Sequence, residues 1–345
     1  MKVNREKLRE VLAKVQPGLA GKTEVIEQSQ SFVFTDGRVM TFNDEIAVSA
    51  PLASGITGAV KGDELLKLLN KVTDEVLELE AGEGELLFKG KKLRAGIRME
   101  TEITLPLEEI KPPPSEEFIT LPETFSEGLR FCMFSASTDR DKQVLCCLKV
   151  EGQYILSCDN FRLTRYDMGK KGADAFQEST LIPARAAQQL IGYKPTSYGR
   201  SPGWLHFQTE GGVIFSCRTI GDDYPKVEKL LVVEGDTLEL PPDMKDILNR
   251  AEIFAKGEMT ADSRIEIAIE DDKMMITGRG DYGWLKEKAR VKHGKGSAKF
   301  EVHPQFLTDI LDLLHTVTIG GTETPRLKME GENFIHVASL IATKK

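Results

Sequence analysis

Long apolar runs are missing from this 345-residue sequence. None approaches the roughly 18 residues that a membrane-spanning helix needs. The opening Met1-Lys2-Val3-Asn4-Arg5-Glu6 lacks the apolar core of a secretory signal, so neither membrane insertion nor export is expected. Cysteine is sparse: five residues, an odd number, with no Cys-x-x-Cys and with Cys146 and Cys147 adjacent. That argues for reduced, mostly buried thiols in a cytosolic protein. The five histidines (His206, His293, His303, His315, His336) stand singly, so no metal centre is expected. There is no Gly-rich phosphate loop with Lys, no His-Glu-x-x-His and no Gly-x-Ser-x-Gly. Positive charge is also short, with 46 Lys and Arg against 54 Asp and Glu, a net −8. Indiscriminate nucleic-acid binding is thus disfavoured, although basic residues confined to one surface remain compatible with that balance.

What the chain does have is repetition. Phe118-Ile119-Thr120-Leu121 leads through Pro122 into Phe125, Leu129, Cys132 and Met133, an amphipathic helical spacing. Thr237 to Pro242 followed by Met244, Ile247, Leu248 and Ala251 repeats the unit about 120 residues later. A second version runs from Thr180 to Pro183 and on through Ala187, Leu190 and Ile191; its partner is Phe300 to Pro304 with Leu307, Ile310, Leu311 and Leu314. The first third carries both versions without proline, in Met1 to Val15 and in Gly58 to Val72. Each helix is followed by a hairpin pattern. Ser31 to Thr35 and Arg38 to Phe42 flank Asp36-Gly37, Leu145 to Val150 and Gln153 to Ser157 flank Glu151-Gly152, and Ile265 to Ile269 and Lys273 to Thr277 flank an acidic turn. The second halves turn at Gly82-Glu83-Gly84, Glu210-Gly211-Gly212 and Glu330-Gly331-Glu332.

The expected class is therefore α+β: three similar domains, each of two helix-plus-sheet halves, at 1–111, 117–231 and 236–345. Lys111-Pro112-Pro113-Pro114-Ser115-Glu116-Glu117 suits a stiff junction, and Val232 to Asp236 a second. Gly192 to Gly203, rich in Gly and Pro, reads as a surface loop. Sixfold repetition without a reactive constellation points to a protein that works by shape.

Three segments carry a resemblance. Ser157-Cys158-Asp159-Asn160-Phe161-Arg162-Leu163-Thr164, Leu181-Ile182-Pro183-Ala184-Arg185 and Asp223-Tyr224-Pro225-Lys226-Val227 are similar, in order and spacing, to segments of the bacterial DNA polymerase III β subunit, the replicative sliding clamp. Asn160-Phe161 replaces the family's small residue and histidine, and the ending Ala338 to Lys345 lacks its usual Met-Pro-Met-Arg-Leu-like close. These departures fit a divergent member, such as one encoded by a phage or mobile element. The resemblance implies a DNA clamp fold, with helices lining a ring and sheets outside. It implies a cytoplasmic homodimer that encircles double-stranded DNA without reading sequence and tethers a replicative polymerase as a processivity factor. Partners, polymerase and clamp loader alike, would dock by short hydrophobic peptides. A clamp-fold decoy or scaffold that encircles no DNA is the alternative, and a hydrolase assembled from distant Asp and His residues a remoter one.

On that resemblance the helix faces opposite the apolar stripes meet DNA, through Arg5, Arg9, Lys67, Lys71, Arg185, Lys245 and Arg250, with Lys22, Arg140 and Lys142 on loops. The fifth helix also carries Lys256, and the sixth is acidic at Asp309 and Asp312. The peptide pocket would take Val144, Arg162, Leu163, Pro225, Leu230, Val337 and Leu340. The dimer interface would set Ile253 and Phe254 against Leu93 and Ile97, because Ile253 is a large apolar residue opposite its own helix's stripe.

Overall fold

A computed structural model describes residues 1–21, 26–255, 263–293, 297–321 and 324–342. Lys22 and Lys256 lie outside the described residues. Apolar spacing becomes helix where expected. The α-helices are Arg5–Val15 (α1), Gly62–Lys71 (α2), Phe125–Cys132 (α3), Lys170–Ala175 (α4), Ala184–Tyr193 (α5), Met244–Ala255 (α6) and Gln305–Thr308 (α7). Only α4 lies outside the six stripes. At the start of α1 the Asn4 side chain accepts the Lys7 N–H at 3.1 Å, an N-cap, and Leu8, Leu12 and Val15 are buried. In α2, Asp63 and Glu64 occupy the first turn and Lys71 the last, complementing the helix dipole. The sixth helix is shorter than its stripe. Regular helix ends at Thr308, but looser turns keep Ile310 and Leu311 buried, each with its N–H 3.1 Å from Leu307 O.

The hairpins also form. Asp36 and Gly37 both take positive φ (49° and 71°), the conformation of a two-residue turn between right-twisted strands. Gly192 to Gly203 corrects the reading of a loop. Its centre, Ser197–Ser201, is a strand paired with Trp204–Gln208. Tyr198 is buried there, stacked 4.6 Å from Phe176, and its hydroxyl donates to Ala175 O. Gly199 leaves room for Pro113, which a Cβ would meet at 2.7 Å, so the Pro-rich junction lies on this strand. Likewise the second junction is part strand: Gly235–Glu239 pairs with Thr316–Gly320.

The chain packs as two compact units. Met1–Glu127 and Asp174–Gly221 form one; Gly128–Ala173 and the described residues of Asp222–Lys345 form the other. In the first unit twelve strands make one sheet, and strand Ile46–Pro51 joins Ile214–Arg218 in an antiparallel ladder with Val48 opposite Phe215. Val33, Phe42, Ala47, Ala59, Leu105, Ile110 and Trp204 close one core across that join. In the second unit Arg162–Asp167 pairs with Phe334–Ser339, Leu163 opposite Val337. A separate five-stranded sheet runs Gly283–Arg290, Lys273–Gly280, Ile265–Glu270, Ser297–Val302, Ile341–Ala342, with α6 packed on one face. The residues of 117–231 are thus divided between the units.

Cys132, Cys147, Cys158 and Cys217 are buried and Cys146 is half-buried; burial pushes the Cys147 thiol up to about 12. Among the described residues no helix is long and apolar enough to cross a membrane.

Candidate DNA-contact and partner-docking surfaces

The segment Ser157 to Thr164 is a hairpin end built on Asp159. Asp159 Oδ1 accepts the N–H groups of Phe161 (2.7 Å) and Arg162 (2.6 Å), and Oδ2 accepts Arg162 Nε at 3.0 Å. A short polar side chain that bonds the backbone two residues on is what holds such a turn. Arg162 then reaches Asp309 Oδ2 at 3.2 Å and lies over the Phe306 ring, 4.8 Å from its centroid. Phe161 stacks on the same ring (6.0 Å) and His303 stacks on it as well (4.9 Å). Tyr224 joins the third segment to the first: its hydroxyl accepts the Cys158 N–H at 2.8 Å, and burial holds its pKa above the ordinary tyrosine value. Beneath lies a fully buried polar chain, Ser135 Oγ to Thr164 Oγ1 (2.7 Å) and Thr164 Oγ1 to His336 Nδ1 (2.8 Å). Burial lowers the His336 pKa to about 4.

The seven residues assigned to a peptide pocket fall into two layers. Leu163, Val337 and Leu340 are core residues, 3%, 3% and 6% exposed. Pro225 and Leu230 are exposed, Val144 and Arg162 half-buried, and Arg162 is held by two carboxylates. The strand Phe334–Ser339 packs against the turn Glu228–Leu231, and Arg326 donates to Leu230 O. Phe161 and Val232, both exposed, add apolar surface to the outer layer. Among the described residues no three His, Cys, Asp or Glu side chains cluster closely enough to hold a metal ion.

The cations assigned to DNA contact divide sharply. Arg5 is engaged within the fold, donating to Val72 O at the end of α2 and to Glu6, with a side chain 19% exposed. Arg9 pairs with Glu6 (3.1 Å), Lys67 with Asp63 (3.6 Å), Lys142 with Asp139 (3.8 Å) and Lys245 with Asp312. Arg250 makes a two-pronged contact with Glu287, 2.6 and 3.0 Å. The hydrogen bonds from Arg250 hold the Glu287 carboxyl below its ordinary pKa. Lys71, Arg140 and Arg185 are exposed and pair with no described carboxylate.

No family model and no curated protein matches the sequence. Solved structures do. The DNA polymerase III β subunit of Thermotoga maritima superposes with a TM-score of 0.81 at 16% identity, over 99% of each chain. The β chain from Streptococcus pneumoniae gives 0.84 at 13%, again over 99% of each. A Bartonella birtlesii sliding clamp, solved bound to griselimycin, gives 0.84 at 13% over the same shares. This is the sliding-clamp fold. The likeness read from three short segments is borne out at the level of fold along the whole chain.

Within this clamp fold the residues assigned to an interface lie in and just before strand Arg94–Glu100 and on the last turn of α6. Strand Arg94–Glu100 is bonded to Glu85–Lys89 over Arg94 to Arg98, and to Gly58–Lys61 only at Met99 and Glu100. Its Ile97 is half-buried. Near it a hollow of about 490 Å³ is lined by Leu68, Lys71, Val72, Lys91, Lys92 and Leu93. In the other unit Ile253 is 68% exposed and Phe254 is half-buried against Gly283. That glycine begins Gly283–Arg290, the edge strand of the five-stranded sheet, which the sequence reading had not singled out. Its signal was present in the alternation Trp284-Leu285-Lys286-Glu287-Lys288-Ala289-Arg290.

Proposed function

We propose that this chain is a sliding clamp: a non-catalytic cytoplasmic ring, needing no cofactor, that closes on duplex DNA and tethers a replicative polymerase. The observation that carries the reading is the clamp fold over 99% of the chain, shared with proteins named as β subunits of DNA polymerase III. In this reading the chain counts as three domains, 1–111, 117–231 and 236–345, with helices inward and sheets outward. Two copies join head to tail. Ile253 of one copy enters the hollow of Leu68, Val72 and Leu93 on the other, and strand Gly283–Arg290 lies beside Arg94–Glu100. Such a heterologous contact makes a ring when its rotation closes. The free cations Lys71, Arg140 and Arg185 make the main phosphate contacts, and the paired ones add little, which suits a ring that must slide. Polymerase and loader peptides rest on Val144, Phe161, Pro225 and Leu230, with Leu163, Val337 and Leu340 as the packed floor beneath and Arg162 as a fixed wall. A transient tether of this size binds at about micromolar Kd.

The decoy or scaffold reading draws support from the pairing itself: six of the nine described cations assigned to DNA are matched by carboxylates. Loading on a nicked circular duplex separates the two. A clamp stays on the circle and is lost on linearisation. Ile253→Asp with Phe254→Asp yields monomers that are not retained. A protein that behaves identically on circle and line is not a sliding clamp.

A further inference from the structure

The five-stranded sheet of the second unit has a face turned away from α6. On Lys273–Gly280 it presents Lys273, Met275, Thr277 and Arg279; on Gly283–Arg290 it presents Trp284, Lys286, Lys288 and Arg290. Register sets these in rows: Arg279 opposite Trp284, Thr277 opposite Lys286, Met275 opposite Lys288, Lys273 opposite Arg290. Arg279, Lys286, Lys288 and Arg290 are exposed, and none makes an ion pair with a described residue. The acids of this face lie on the neighbouring strands. Glu270 sits opposite Lys273, Glu266 pairs with Lys299, and Glu301 is beyond them. Glu287 points to the other side, where Arg250 holds it. Two aromatic rings complete the patch: Trp284 is 63% exposed, and Tyr282, beside Asp281 in the adjoining turn, is 97% exposed.

Four unpaired cations on a chain of net charge −8 mark a place where negative charge is awaited. Alternate residues along a strand stand about 6.8 Å apart, so the cations form a row that an extended polyanion can follow. Cations alone would suit any such chain. The exposed rings favour one whose units present flat faces. Duplex DNA keeps its bases stacked inside, whereas single strands offer them to aromatic side chains. We propose that this face binds single-stranded nucleic acid, with phosphates on Arg279, Lys286, Lys288 and Arg290 and bases stacked on Trp284 and Tyr282. This inference rests on the sheet alone and not on the clamp reading.

The test is a titration of the full chain with labelled single-stranded oligonucleotides of about 12 residues, DNA and RNA in separate arms, followed by anisotropy and tryptophan emission. Four phosphate contacts on a single strand give a plot of log K against log salt with a slope of about −3. Emission from exposed Trp284 is quenched while buried Trp204 is silent. Lys286→Glu with Lys288→Glu lowers affinity about tenfold or more and flattens the slope, and Trp284→Ala alone lowers it about tenfold. The DNA and RNA arms show which sugar is preferred; binding in either supports the proposal. Several results overturn it: no binding in either arm, equal binding of a duplex of the same length, or loss of binding through Lys71→Glu and Arg185→Glu instead. Tight binding of polyglutamate that Trp284→Ala leaves unchanged also overturns it, and identifies an acidic protein segment as the occupant.

Discussion

Of the seven helix cations assigned to DNA contact, five have a carboxylate beside them; on the outward face of the five-stranded sheet four cations have none. The difference follows from backbone geometry. Residues three or four apart on a helix are neighbours, so Asp63 reaches Lys67 and Glu6 reaches Arg9. On a strand the neighbours of Lys286 and Lys288 on their face are the residues opposite, here Thr277 and Met275. Net charge therefore says little about where a polyanion can settle. The local pattern of pairing decides it, and in this acidic chain one row of unpaired cations among the described residues lies off the helices.

The largest effect expected concerns what both surfaces stand on. Each unit buries a neutral histidine. His206 has Ser216 Oγ at 2.7 Å and Ser201 Oγ at 2.8 Å on its two ring nitrogens, and His336 has Thr164 on one. Burial lowers both to a pKa of about 4. Since the unfolded chain takes up these protons near pH 6.5 and the folded chain refuses them, the stabilisation is complete above about pH 6.5. It is lost as pH falls toward 4, at about 3 kcal/mol for each histidine. Urea unfolding at pH 7 and pH 4.5 reads this loss without changing the charge of any lysine or arginine on either surface. An unchanged midpoint would mean that the two imidazoles are hydrated rather than buried.

The next effect separates the surfaces. Reversing Lys71, Arg140 and Arg185 together should reduce the salt slope of duplex binding by about three and leave oligonucleotide binding at the sheet untouched. If both activities fall together, the two surfaces are one. The smallest effect sharpens the contrast in the other direction. Glu287→Gln removes the charge and one of the two acceptors that hold Arg250, so duplex binding should gain about one unit of salt slope. Stability should hardly change, because exposed pairs contribute little. A fall in duplex binding would show that Glu287 positions Arg250 for contact rather than withholding it.

Much of this was legible in the sequence, and the exceptions share a cause. Apolar spacing located six helices, and Asp36-Gly37 located a hairpin turn, because those signals are local. Ser197–Ser201 was obscured by its own composition: Gly199 and Ser201 look like loop until Tyr198 is seen stacked on Phe176. The shortness of α7 was hidden because loose turns bury Ile310 and Leu311 as well as regular helix does. In the candidate site, exposed Ile253 was readable from one helix. The burial of Leu163 and Val337 was not, because it arises where strands distant in sequence lie face to face. Ion pairs divide the same way. Lys67 with Asp63 is written at helical spacing, whereas Arg250 with Glu287 exists only once α6 lies on the sheet.

The ladders that join segments distant in sequence also bear on ancestry. Strand Ile214–Arg218 is bonded to Ile46–Pro51, and Arg162–Asp167 to Phe334–Ser339. Excised by itself, the segment 117–231 would carry two bare strand edges, each a template for aggregation. If the period of about 120 residues records duplication of an ancestral module, that module must have covered these edges differently, by self-association or with another chain. On that account the copies would have become obligate companions. The chain can now be divided or recombined only along cuts that keep both ladders whole.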